Sequence, residues 1–136
     1  MVGARNVVEP IDAREAGALL GALTILFFVH LLWVTVRDMR RRRGDHAMLC
    51  RRMHFSIGVL LLAFSAVTYN MAYIVFWKMG WGDPPRGHWA FEIGHWTRFA
   101  GFAMVNRVAI EGIYKRRVWL IWIGSIIIAF GAAIAF

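Results

Sequence analysis

From Phe55 to Trp77, and again from Val118 to Phe136, no Asp, Glu, Lys, Arg or His interrupts the chain. Few folds tolerate that twice in 136 residues. A bilayer core about 30 Å thick is crossed by about 20 helical residues, and both stretches meet that length. A third, Ala16 to Val36, carries His30 as its sole ionisable side chain. The fourth, Gly87 to Asn106, is less clean because it holds Glu92, His95 and Arg98.

Composition argues the same way. The hydrophobic fraction is 60% and the mean hydropathy is +0.55. A soluble domain this small has too little interior to hide so much apolar surface. The expected fold is therefore an all-α integral membrane protein. It is a single domain over 1–136, with four transmembrane helices in an antiparallel bundle. The spans are about 16–36, 55–77, 87–106 and 118–136, and the connections at about 37–54 and 107–117 are cytoplasmic.

Orientation follows from the arginines. The connection after the first span holds Arg37, Arg40, Arg41, Arg42, Arg43, Arg51 and Arg52, and the one after the third holds Arg107, Lys115, Arg116 and Arg117. The other side has Arg5, Arg14, Lys78 and Arg86. Basic connections stay cytoplasmic, so both termini are expected outside. Gly80-Trp81-Gly82-Asp83-Pro84-Pro85 cannot continue a helix and separates spans two and three. Trp77, Trp81 and Trp89 cluster there as headgroup-level rings do. Arg5, Glu9, Asp12, Arg14 and Glu15 precede the first span, and no small-residue cleavage pattern follows it. Insertion without a cleaved leader is the expectation.

The net charge of +8 belongs to these flanks. It reads as a topology signal and as affinity for anionic lipid head groups, with Arg40, Arg41, Arg42, Arg43, Arg51, Arg52, Arg116 and Arg117 as anchors, and not as a nucleic-acid footprint. Cys50 is the one cysteine, which excludes an internal disulfide and a cysteine-based metal cluster.

The third span holds most of the chemistry. Stepped at 100° per residue, Glu92, His95 and Arg98 occupy an arc of about 120°, shared by His88 and Asn106. Away from it lie Ala90, Gly94, Thr97 and Gly101, small enough to let another helix approach closely. At 1.5 Å per residue His95 lies about 12 Å below the outer surface. Asn70 and Thr24 are at a similar depth, with Tyr69 and Tyr73 nearby. The expected polar intramembrane cluster is Thr24, Asn70, Tyr73, Glu92, His95 and Arg98. It is either a structural network that fixes helix register or a functional site such as a proton relay, ligand pocket or pore lining.

Sharper chemistries have less to stand on. His88, Glu92 and His95 fall at i, i+4 and i+7 and could ligate a metal, but no other span supplies the carboxylates of a di-metal bundle. A bis-histidine haem needs two helices at one depth. His30 and His54 are the candidate pair, though His54 closes the second span beside Arg51 and Arg52. No cofactor is expected as the main reading; haem or a metal ion is the alternative. Ser56, Ser65 and Ser125 lack a readable triad spacing, and no phosphate-binding glycine loop exists.

Gly17 and Gly21 form a GxxxG pair, and Gly124, Ser125, Ala129, Ala132 and Ala133 keep the fourth span slim. Such positions serve helix association within or between chains. Size, several spans and basic cytoplasmic connections resemble phage holins as a class. The resemblance implies a pore or lesion former in a bacterial or phage-encoded inner membrane. Holins generally end in a charged hydrophilic tail, which the stretch to Phe136 is not. The expected function is a non-enzymatic membrane protein that self-associates or joins other membrane subunits. The alternatives are a redox subunit, or a small transporter or proton conductor using Glu92, His95 and Arg98.

Overall fold

The computed structural model describes residues 10–111 and 118–135 as four helices: α1 (Pro10–Arg40), α2 (His46–Lys78), α3 (Trp89–Glu111) and α4 (Val118–Ala135). Lys115, Arg116 and Arg117 lie outside the described residues.

The helices overrun the apolar stretches at the arginine-rich end. α1 has 31 residues and α2 has 33, so each is about 46–50 Å long, well beyond a bilayer core. The expected connection over 37–54 shrinks to residues 41–45. Hydropathy locates the apolar part of a helix, not its end, and arginine is itself a good helix former.

Capping decides the true ends. Pro10 opens α1, where its missing N–H costs nothing. α1 closes in a Schellman motif: Arg43 N–H donates to Asp38 O at 2.9 Å and Arg42 N–H to Met39 O at 3.2 Å. The left-handed position falls to Arg42, at φ +52°. Asp45 then caps α2, its side chain accepting from Ala47 N–H at 3.2 Å.

The far end of α2 repeats the device with the residue better suited to it. Trp81 N–H reaches Phe76 O at 2.9 Å and Gly80 N–H reaches Trp77 O at 3.1 Å, with Gly80 at φ +76°. The Trp81 and Phe76 rings meet edge-on at 5.3 Å, the apolar contact that accompanies this motif. Trp77 Nε1 donates to Asp83 Oδ1 at 2.8 Å and ties down the turn.

Backbone packing joins chain neighbours only: α1 to α2, α2 to α3, and α3 to α4. Among the described residues the four helices form a row. Small residues make the contacts. A Cβ on Gly101 would stand 2.8 Å from Gly58 O, and one on Gly58 would stand 3.0 Å from Gly101 O, so α2 and α3 touch backbone to backbone. Ser65 Oγ donates to Gly94 O at 2.6 Å across the same interface. On the α1 side, Gly21 meets Val67 and Ala63 O, and Gly17 meets Asn70.

The resulting core mixes slim side chains with Leu49, Ile74, Ile110 and Ile121. Ala63, Ala72, Ala90, Ala103 and Ala129 are buried, with Ser56, Ser65 and Ser125. Many large apolar side chains point outward: Leu26, Phe27, Trp33, Ile127 and Phe130 are all more than half exposed. α1 and α2 are long and apolar enough to cross a membrane, and in their most apolar parts 11% and 22% of residues are buried within the chain.

Candidate functional site: a cationic groove beside the third helix

Arg14 leaves α1 two turns before Gly21 and crosses to α2. Its guanidinium lies 3.9 Å from the centre of the Tyr73 ring, and Nη1 donates to Asn70 Oδ1 at 3.3 Å. Asn70 Nδ2 donates onward to Ala66 O at 2.9 Å. From the other flank Arg98 of α3 brings its guanidinium to 5.3 Å from the Tyr69 ring. Tyr69 and Tyr73 are one helical turn apart on α2, so their rings stand side by side. Both pack on Phe91, at 5.2 and 5.6 Å between centroids. Tyr69 Oη also donates to Phe91 O at 3.4 Å.

These side chains line an open groove of about 420 Å³. Arg14, Tyr69, Asn70, Tyr73 and Arg98 are each half-buried in its walls. Among the described residues, none that lines it is acidic. Glu15, adjacent to Arg14 in sequence, pairs instead with Lys78 at 3.3 Å on the surface.

The groove gathers three of the six cluster residues read from the sequence: Asn70, Tyr73 and Arg98. Thr24 bonds back to Leu20 O at 2.8 Å in its own helix, a common outcome for a mid-helix threonine. Glu92 and His95 are exposed, on the side of α3 turned from the groove. The helical wheel explains the division. At 100° per residue Arg98 lies about 40° from Gly94, which faces α2, but about 120° from Glu92. Arg98 marks the border between the small arc and the polar arc. Glu92 also occupies the first turn of α3, where a carboxylate favours the helix dipole.

Arg14 was missed by sequence reading because it precedes the apolar run. The signal was available: Arg14, Gly17 and Gly21 recur at i, i+3 and i+7, one helical face, and that face meets α2.

The metal reading does not fit the geometry. Among the described residues no three His, Cys, Asp or Glu side chains are gathered to hold a metal ion. His88 precedes α3, so the spacing i, i+4, i+7 does not run along one helix. Its Nδ1 accepts from Ala90 N–H at 3.3 Å, capping the helix, and its ring meets Phe76 edge-on at 5.1 Å.

The haem pair is likewise separated. The Phe28–Phe55 ring contact at 6.0 Å puts His30 and His54 at one level of α1 and α2, but their rings diverge. Exposed His30 stacks on Trp33 at 6.3 Å. His54 turns toward α4, edge-on to Trp122 at 6.4 Å, with its Nδ1 2.7 Å from Cys50 O.

At the other end of the row Arg40, Arg41, Arg42, Arg43 and Arg51 are exposed, as anchors would be. Arg52 is a staple instead: Nε donates to Thr35 Oγ1 at 2.7 Å and Nη2 to Asp38 Oδ2 at 3.0 Å. Arg37 lies 5.1 Å from the Trp33 ring centre, and with Arg40 and Arg41 it borders a groove of about 360 Å³. Arg107 pairs with Glu111 at 3.0 Å and covers Trp122 at 5.5 Å.

Compared with protein-family models, with curated proteins and with solved structures, the chain has no match.

Proposed function

We propose that the chain is a four-span inner-membrane protein of bacterial or phage origin, with both termini outside. In this reading it is a non-enzymatic subunit of a larger membrane assembly, built from its own copies or with other membrane subunits. The outward-facing Leu, Ile, Phe and Trp side chains, with alanines and serines prominent among the buried residues, support the membrane placement, a pattern lipid favours. The arginine-rich 37–52 region supports the orientation. Its exposed guanidiniums, with the Trp33–Arg40–Arg41 groove, suit anionic head groups.

The observation that carries the assembly reading is the exposure of Glu92 and His95 on α3. Ionisable groups in a membrane face protein or water, not lipid. Asn106 falls on the same arc of the helix. A single copy leaves that arc unserved; a neighbouring chain would cover it.

The test is a Cys50→Ser chain carrying His95→Cys. Copies that meet through this arc give a disulfide-linked dimer on mild oxidation in membranes, and Ile127→Cys on the far side of α4 gives less. A chain that cross-links at neither position, and co-purifies with no other membrane protein, contradicts the assembly. If copies surround a shared axis, the same arc lines an aqueous passage, as in a holin-like pore. That version predicts dye release from liposomes bearing the protein, and sealed liposomes exclude it.

A further inference from the structure

We infer that a second groove, between the outer halves of α2 and α3, holds one acyl chain of a phospholipid, whose head lies at the Trp81–Trp89 turn. The inference rests on the membrane reading of the chain and not on its assembly.

Phe64, Thr68, Met71 and Val75 recur at i, i+4, i+7 and i+11 and form one stripe along α2. At 100° per residue the stripe lies on the side of α2 turned away from Tyr69 and Tyr73. Ile93 of α3 lines the other wall, and the buried Ala72 and Ala90 lie between them. Phe64, Met71, Val75 and Ile93 are each exposed over two-fifths or more of their surface. Small side chains thus run between larger ones, and the groove holds about 500 Å³, within the roughly 300–1,000 Å³ of small-ligand sites. Its polar side chains bond to their own backbone. Thr68 Oγ1 donates to Phe64 O at 2.8 Å, and His88 Nδ1 accepts from Ala90 N–H at 3.3 Å. The walls below the rim are therefore methyl, methylene and ring surface. A hydrocarbon chain gains dispersion contacts there and brings no polar group that would need a partner. Met71 can adapt its shape to the chain.

Length selects the occupant. The groove runs along α2 from Phe76 to Phe64, about 18 Å at 1.5 Å per residue. That is a little more than half of a bilayer core about 30 Å thick, the reach of a lipid chain in one leaflet. A membrane-spanning helix of another copy would need a groove that runs the full thickness. This one cannot, because α2 and α3 come together further toward the arginine-rich end, backbone to backbone at Gly58 and Gly101. The outer end is rimmed by rings. Trp81 and His88 meet Phe76 edge-on at 5.3 and 5.1 Å, and Trp89 lies 5.3 Å from His88. Such amphipathic rings sit at the headgroup level. The groove therefore changes from polar rim to apolar wall at the level where a phospholipid changes from head to chain.

The experiment uses the full chain and a phosphatidylcholine with a photoactivatable diazirine on one acyl chain. One arm is in phosphatidylcholine vesicles containing that lipid, the other in mild detergent with an equimolar amount of it. Adducts are located by mass spectrometry. In vesicles, Leu26 and Phe27 on the outer face of α1 should be labelled together with the groove. In detergent, Met71, Val75 and Ile93 should keep their adducts while Leu26 and Phe27 lose theirs. Absence of adducts at Leu26 and Phe27 in vesicles contradicts the membrane reading. Labelling there, with groove and α1 labelled alike in detergent, overturns the groove alone. So does an unlabelled groove in detergent, the result expected if another part of the chain or a second copy fills it. Met71→Trp fills the groove and should remove the detergent-arm adducts at Val75 and Ile93, whereas Leu26→Trp should leave them; adducts that survive Met71→Trp overturn the site. Native mass spectrometry of the chain extracted from cells gives the occupant. A phospholipid kept by the wild type and lost in Met71→Trp is expected, and a quinone in its place contradicts the assignment. Should Met71→Trp not fold, the distribution of wild-type adducts decides alone.

Discussion

Gly101 and Gly58 bring the backbones of α2 and α3 into contact, and each leaves no room for a methyl group. A Cβ on Gly101 would meet backbone oxygen at 2.8 Å and the Leu62 side chain at the same distance. Only movement of a whole helix relieves that contact, so Gly101→Ala should destabilise by about 1–3 kcal/mol, read as a lower midpoint in a detergent-denaturation titration. An unchanged midpoint would mean that α2 and α3 are not packed this way. Arg42 sits in a left-handed position that Gly80 fills in the equivalent motif. A non-glycine residue there costs about 1–2 kcal/mol, partly offset by the extra freedom glycine gives the unfolded chain. Arg42→Gly should therefore stabilise the fold by up to about 1 kcal/mol. Arg52→Gln removes a staple to Asp38 and Thr35 and should cost about 1–2 kcal/mol. A topology anchor alone would cost nothing in that assay. Gly94 and Gly101 were legible beforehand as a small face. The role of Arg52 was not, because charge count reveals a side of the membrane and says nothing of a hydrogen-bond partner 14 residues away.

At the scale of the elements, three helices were legible from apolar run length, the third less cleanly because it holds Glu92, His95 and Arg98, and the Gly80–Pro85 turn from its residue types. The ends were less so. Arg37, Arg40, Arg51 and Arg52 read as loop because they are charged, yet they continue α1 and α2 past the apolar part. The cap signal Asp45 was present but lies within an arginine-rich stretch that hydropathy treats as one connection. Arg98 lies at the border of the two arcs for a related reason: a wheel gives angles, and only a neighbour's position says where one face ends. The crossing of α2 is tested with single cysteines in a Cys50→Ser chain. Asp83→Cys should react with an impermeant maleimide on intact cells, and Arg41→Cys only after permeabilisation. Reversed reactivity contradicts the orientation, and equal reactivity contradicts the crossing itself.

At the scale of the whole molecule, the row explains why sequence could not finish the site. A closed bundle would have turned the polar arc of α3 inward, next to Asn70 and Tyr73. In a row the backbones of the described helices pack on their chain neighbours, so the α2-facing side takes Arg98 while Glu92 and His95 remain outside. The cationic groove and the exposed arc thus belong to one helix but two different surfaces. In the proposed assembly the second surface is covered in the membrane. The mass of the particle, extracted in a mild detergent and measured intact by native mass spectrometry, tests this most directly. The prediction is a multiple of the 15.6 kDa chain, or that chain with other membrane subunits, shifting toward single copies when His95 and Trp96 are replaced by tryptophan and arginine respectively. A lone 15.6 kDa chain in both detergent and lipid particles would contradict it.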